Sequence, residues 1–172
     1  MKKITAFLLI ITIYLLLSGC GISSGAMVPD LDSRNGFKID KTLNIAEVTG
    51  GNNNSFVMGQ VSDDQFKDAL ITTLEQARIF KGISEGNGEI RLFVKIRGQE
   101  IIKIEYAKHT DMIIVDYRLV NAKDGREIWH KTYRTEFSSA LAGYPTISDA
   151  REGSVRENLL NFITDLNQES WQ

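Results

Sequence analysis

Residues 89–106 read "EIRLFVKIRGQEIIKIEY". Ile90, Leu92, Val94 and Ile96 fall on one side of an extended chain, and Glu89, Arg91, Lys95 and Arg97 on the other. A period of two residues is the signature of a strand with one face buried and one in water. Gly98 interrupts the alternation as a bulge or bend would, and Ile102, Ile104 and Tyr106 then resume it. A turn near Lys108, His109 and Thr110 leads into "MIIVDYRLV", where Ile113, Val115, Tyr117 and Leu119 share a face. The segment 121–125, "NAKDG", has the residue types of a hairpin loop, ending in a glycine that tolerates positive φ. After it "REIWHKTYRTEF" places Trp129, Tyr133 and Phe137 on one side. Three consecutive strands joined by short turns form an antiparallel meander.

Helices flank this meander. Ser62-Asp63-Asp64-Gln65 matches a capping box, in which the serine hydroxyl accepts from the backbone of Gln65 and the glutamine reaches back. Phe66, Ala69, Leu70, Thr73, Leu74, Ala77 and Phe80 follow at three- and four-residue steps. The spacing predicts a helix from about Asp63 to Phe80, with Gly82 marking its end. A second helix is expected from about Ser148 to Asn167, with Val155, Leu159, Phe162, Ile163 and Leu166 as its apolar stripe. Gly153 costs that helix about 1 kcal/mol against alanine, which points to close packing or a late start. Lys41–Val48, "KTLNIAEV", supplies a first strand. The order β-α-β-β-β-α predicts an α+β domain: a four-stranded, mainly antiparallel sheet with both helices on one face. The other face, with Arg91, Lys95, Arg97, Lys103 and Glu105, should be wet or covered by a partner.

Upstream of the domain lies a leader. Lys2 and Lys3 precede a fourteen-residue uncharged apolar run, Ile4–Leu17. That is shorter than the roughly 20 residues a membrane-spanning helix needs and fits the apolar region of a secretory signal. The stretch Leu17-Ser18-Gly19-Cys20 follows, holding the single cysteine of the chain. One cysteine cannot form a disulfide within the chain. The stretch from Gly21 to about Phe37, "GISSGAMVPDLDSRNGF", is rich in Ser, Gly and Asp and is expected to be a flexible tether. The organisation expected is a signal peptide at 1–19, the cysteine and a tether at 20–37, and the domain at 38–172. Of the 20 basic residues, Lys2 and Lys3 fall in the leader, leaving 18 against 22 acidic ones and a formal charge of −4. That balance argues against nucleic-acid binding, which calls for a concentrated basic face.

Leu17-Ser18-Gly19-Cys20 resembles the lipobox of bacterial lipoproteins. The resemblance implies that a diacylglyceryl group is attached to the Cys20 sulfur, that a dedicated peptidase recognising Leu17, Ser18 and Gly19 cuts before Cys20, and that the new amino group can be acylated. It also implies a lipid-anchored protein of the cell envelope. Gly21 stands where an aspartate would retain a lipoprotein in the inner membrane, so the outer membrane, periplasmic side, is implied for an organism with two membranes. Together with the strand and helix order and "DGREIW" at 124–129, the chain is similar to envelope lipoproteins of the YajG type and to LpoB and CsgG relatives, whose small domain resembles the N-terminal domain of TolB. These relatives differ in partner, so the resemblance implies an envelope accessory module that docks onto another envelope protein.

Residue types for catalysis are sparse. His109 is expected in a turn and His130 on the solvent side of its strand, with no clustering of metal ligands. Ser138 and Ser139 have no histidine near them in sequence, and "GNG" at 86–88 lacks the lysine of a phosphate-binding loop. No enzyme activity, metal or cofactor is expected. Candidate partner contacts are Phe56, Val57 and Met58, apolar residues in an Asn/Gly-rich loop, and Tyr144 in "ALAGYP". The alternative reading is a periplasmic binder of a small or lipidic ligand serving transport, which predicts a substantial apolar cavity.

Overall fold

The computed structural model describes residues 22–31, 37–52, 60–84, 86–105, 108–139 and 147–171. Five strands form one sheet, in the order β2-β1-β3-β4-β5: β1 (Ile39–Thr49), β2 (Phe80–Ile83), β3 (Ile90–Glu105), β4 (Lys108–Asn121) and β5 (Glu127–Ser139). Two helices, α1 (Asp63–Ala77) and α2 (Ile147–Gln168), pack on one face. The α+β class and the single helical layer are as expected. The strand number and pairing are not. β2 is a fifth strand, and β1 runs parallel to both β2 and β3, so the sheet is mixed.

The extra strand arises where the sequence predicts the last turn of a helix. Residues 77 and 80 keep helical spacing, so periodicity carries the helix on to Phe80. In the structure Arg78 adopts the left-handed conformation (φ 49°), its N–H donates to the Leu74 carbonyl, and the chain turns out of the helix. Ile79 then accepts from the backbone of Lys38 and Ile39, and Phe80 is buried as a strand residue. Gly82 lies within β2 and caps nothing.

Elsewhere the sequence patterns hold. The capping box forms, with Gln65 N donating to Ser62 Oγ at 3.2 Å and Ser62 N to Gln65 Oε1 at 3.0 Å. The inner sheet face is built from Ile90, Leu92, Val94 and Ile96 of β3 and Ile113, Val115, Tyr117 and Leu119 of β4, all buried. Tyr117 is the centre of the core. Its ring stacks on Phe162 at 4.1 Å and meets Tyr133 edge-on at 5.8 Å. Its hydroxyl donates to Asn158 Oδ1 at 2.7 Å, and Asn158 Nδ2 donates to Thr135 Oγ1 at 2.9 Å. A buried hydroxyl and amide are therefore both partnered, which avoids the cost of an unmade bond. Burial pushes the Tyr117 hydroxyl well above the usual phenol range.

The outer face carries exposed Arg91, Lys95, Arg97 and Arg118, as expected of a wet surface. Its one buried charge, among the described residues, is Asp116. Burial there opposes ionisation, but bonds from Thr132 Oγ1 (2.6 Å) and Arg97 outweigh it and hold the carboxyl below its usual range.

Gly153 is explained by close packing. A Cβ there would stand 2.1 Å from Phe137 Cδ1, and the Arg156 guanidinium also lies over that ring, 5.6 Å from its centre. Gly153→Ala is therefore expected to destabilise by about 1–2 kcal/mol, because overpacking outweighs the helix-propensity gain of about 1 kcal/mol. In a Phe137→Leu background the same change should become neutral or stabilising. Urea midpoints of the four proteins check this, and a Gly153→Ala penalty that persists without the ring would refute it.

Beyond Gly98 the sheet departs from expectation. The register of β3 against β4 slips between Ile96 and Gly98, which is the expected bulge, and again between Ile101 and Lys103. β1 pairs with β3 only as far as Lys95. The outer half of β3 and the start of β4 thus run on past β1. Ile102 (41% exposed) and Ile104 (68%) stand in solvent rather than resuming the buried face. Tyr106 lies outside the described residues.

Candidate functional site

Cys20, with Leu17, Ser18 and Gly19, lies outside the described residues, as do the loop candidates Phe56, Val57, Met58 and Tyr144. The chain becomes described at Ile22, and what it does there differs from a tether. Residues 22–31 pack against the helical layer. Met27, in a 3-10 turn over Gly25–Met27, is fully buried in the main core, and Ile22, Val28 and Leu31 pack against that core. Three polar contacts fasten the backbone: Gln65 Nε2 donates to the Ile22 carbonyl (2.9 Å), Ser23 N to Glu152 Oε1 (2.6 Å), and Arg156 Nη1 to the Ala26 carbonyl (2.9 Å). Composition suggested a linker because Ser and Gly dominate. The isolated apolar residues Met27, Val28 and Leu31 were the signal that some of it is buried.

The residues that hold this segment come from the N-terminal ends of both helices. Gln65 uses its side-chain oxygen in the capping box and its amide nitrogen on Ile22. The first turns of α2 divide their side chains between two tasks. Glu152 and Arg156 hold residues 23–26, while Arg151 and Ser154 face β4.

There the inner sheet face turns polar. Asp111 is fully buried, and its Oδ2 accepts from Ser154 Oγ (2.6 Å) and Gln99 Nε2 (3.2 Å). Arg151, 8% exposed, places Nε 3.5 Å from Asp111 Oδ1. Burial raises the Asp111 carboxyl above its usual range, against the pull of Ser154, Gln99 and Arg151, and burial lowers Arg151. Desolvation opposes ionisation of both partners, and their attraction ties the first turns of α2 to β4. Val61 N donates to Gln99 Oε1 (3.2 Å), which links the start of α1 to the same cluster. One compact region therefore joins the N-terminal segment, both helix starts and the root of the β3–β4 hairpin.

The histidines are placed as follows. His130 faces solvent with Glu127 3.9 Å from its Nδ1. His109 lies in β4, not in a turn, because the strand pairing continues to Lys108. It pairs across the sheet with Ser139, a proximity that sequence separation concealed. The Ser139 hydroxyl donates to the His109 backbone carbonyl (3.4 Å), not to the imidazole, and Ser139 is buried. His130 pairs with Arg118, nine residues along β4 from His109, so the two imidazoles are separated by about 30 Å of strand. Among the described residues no group of three or more His, Cys, Asp or Glu could hold a metal ion.

A cleft of about 840 Å³ lies at the opposite end of the domain, between the start of β1, the β4–β5 turn and the C-terminal residues. Lys38, Asp40, Arg126, Glu127, Glu169 and Trp171 are among its lining residues. It is open and rimmed by charge of both signs, unlike the enclosed apolar cavity expected of a lipid carrier.

No family model matches the sequence, and no curated protein is similar to it. Solved structures share its fold. Protein XCC0632 of the DUF330 family, from Xanthomonas campestris, superposes with a TM-score of 0.58 at 10% identity, covering 82% of this chain and 91% of that one. The hypothetical protein CT253 from Chlamydia trachomatis gives 0.51 at 9% identity, covering 73% and 94%. A looser likeness, TM-score 0.48 at 12% identity over 76% and 92%, is to a minor lipoprotein from Acinetobacter baumannii.

Proposed function

We propose that this chain is a lipid-anchored module of the bacterial cell envelope, attached through the Cys20 sulfur and acting by docking to another envelope protein, without catalysis. The observation that carries this reading is the placement of Leu17-Ser18-Gly19-Cys20 between an apolar leader and a domain that begins folding two residues later. The resemblance to YajG-type lipoproteins, LpoB and the TolB N-terminal domain supports the same reading. Two or three acyl chains, at about 0.8 kcal/mol per buried methylene, hold a protein on a bilayer where a single chain would not. Confinement to a thin layer raises the effective concentration of the domain for partners in that layer. An outer-membrane position facing the periplasm fits Gly21 in an organism with two membranes. The alternative, a binder of a small or lipidic ligand, receives less support: the large cleft formed by described residues is open and charged.

Cys20→Ser is expected to abolish lipidation and to move the protein from the membrane fraction to the aqueous fraction. The check is fractionation after a high-salt wash, with intact mass of the mature wild-type product. A serine variant that stays in the membrane pellet with its leader removed, or a mature protein without glyceride on the sulfur, would overturn the anchor. In-cell crosslinking followed by mass spectrometry then identifies the docked partner.

A further inference from the structure

Two features of one end of the molecule bear on how an anchored domain would sit. The first is how little chain separates Cys20 from the folded body. Only Gly21 stands between Cys20 and Ile22, and the Ile22 carbonyl is held by Gln65 at the start of α1. Two residues span at most about 7 Å. The acyl chains would therefore leave the domain at this end, beside the starts of both helices, with no slack for the body to rotate freely above the lipid. The second is where the exposed apolar side chains are. Ile102 (41%) and Ile104 (68%) lie near the tip of the β3–β4 hairpin, and Ile147 (38%) opens α2. Gln99, at the root of that hairpin, is bonded to Val61, one residue before the Ser62 cap of α1. From Gln99 to Glu105 the strand advances about 20 Å. The projecting hairpin and the lipid attachment thus share one pole of the domain.

We infer that this pole is a membrane-contact surface, with Ile102 and Ile104 seated in the interfacial layer of the bilayer that holds the Cys20 acyl chains. The inference rests on lipidation of Cys20 as proposed above. Apolar side chains buried about 5–10 Å into the headgroup–acyl boundary are what an interfacial anchor uses. The charges near the tip are balanced: Lys103 and Lys108 against Glu100 and Glu105, with Lys103 and Glu105 paired at 2.8 Å. The contact is therefore apolar and needs no anionic lipid. Its consequence is orientation. β4 rises about 40 Å from the hairpin to the turn at Ala122–Asp124, so the open cleft at that far end would be held away from the bilayer, toward the aqueous compartment.

The test uses the full lipidated protein in phosphatidylcholine vesicles at low surface density. Lipidation caps the Cys20 sulfur as a thioether, so an introduced cysteine is the only site for an environment-sensitive maleimide dye. Ile104→Cys changes an exposed position and should leave the fold intact. Its dye is expected to emit at shorter wavelength, to be quenched by spin-labelled lipid and to be shielded from iodide. Ile102→Cys should do the same more weakly, and Lys123→Cys, in the far turn, should stay aqueous. If the dyes at 104 and 102 behave like the one at 123, the membrane contact is wrong. A response that grows with protein density in the vesicles would assign the tip to a second copy of the chain, also against the proposal. Failure of the underlying anchor reads differently: wild-type protein would itself take up the dye, at Cys20.

Discussion

Gly50→Ala is expected to destabilise the domain by at least about 3 kcal/mol, the size reserved for changes that combine backbone strain with a clash. Gly50 directly follows β1 with φ +91°, where an L side chain is strained whatever surrounds it. A Cβ there would also fall 2.1 Å from the Ile96 carbonyl oxygen, which is backbone within a paired strand and cannot swing aside. Relief would require parting β1 from β3 where the chain leaves the sheet toward α1. For a domain of this size the loss corresponds to a fall in melting temperature on the order of 10 °C. Calorimetry of the purified protein decides the matter. A change under about 1 kcal/mol would mean that the β1 terminus is not held against β3 as described.

Arg151→Met should cost about 3 kcal/mol near neutral pH, because it leaves the Asp111 carboxylate buried without its cation. The sign of the pH dependence follows from Asp111. Burial already raises its folded-state pKa above the ordinary carboxyl value, and loss of Arg151 removes one of the influences opposing that rise. A group with a raised folded pKa favours the folded state below its unfolded pKa, and that contribution is lost as pH rises through the folded value. The Arg151→Met deficit should accordingly be small near the ordinary carboxyl pKa and grow toward neutrality. Asp111→Asn in the same background removes the charge, keeps an acceptor for Ser154 and should restore most of the loss. Unfolding in urea across pH, for both singles and the double, measures the coupling. A deficit that is flat with pH, or that Asp111→Asn fails to relieve, would show that Arg151 acts through packing of its methylenes instead.

These two sites show where sequence patterns carry information and where they stop. The capping box at Ser62–Gln65 is local chemistry, complete within four residues, and it forms as read. The stripes of β4 and α2 are buried as their periods require. Gly153 announced a close contact, although only the structure identifies Phe137 as the neighbour. At Arg78 the reading fails, since Ala77 and Phe80 are spaced alike in a helix and in a helix followed by a strand. At Ile102 and Ile104 it fails for a related reason. Alternation continues past Gly98 in the sequence, but β1 stops pairing with β3 at Lys95 and the register slips again between Ile101 and Lys103, so the period there no longer reports which side chains are buried.

The α+β class, most of the core, the charge balance that argues against nucleic acid, and the expectation of a lipid on Cys20 could all be read from the residue order. All of these rest on local periods, composition or short motifs. The fifth strand, the burial of Met27, the Asp111–Arg151 pair and the grouping of the projecting hairpin with the N-terminal segment at one pole emerge only in the folded chain. Each joins residues distant along the chain, and such contacts are fixed by how α1, α2 and β3–β5 share one core, which no window of sequence contains.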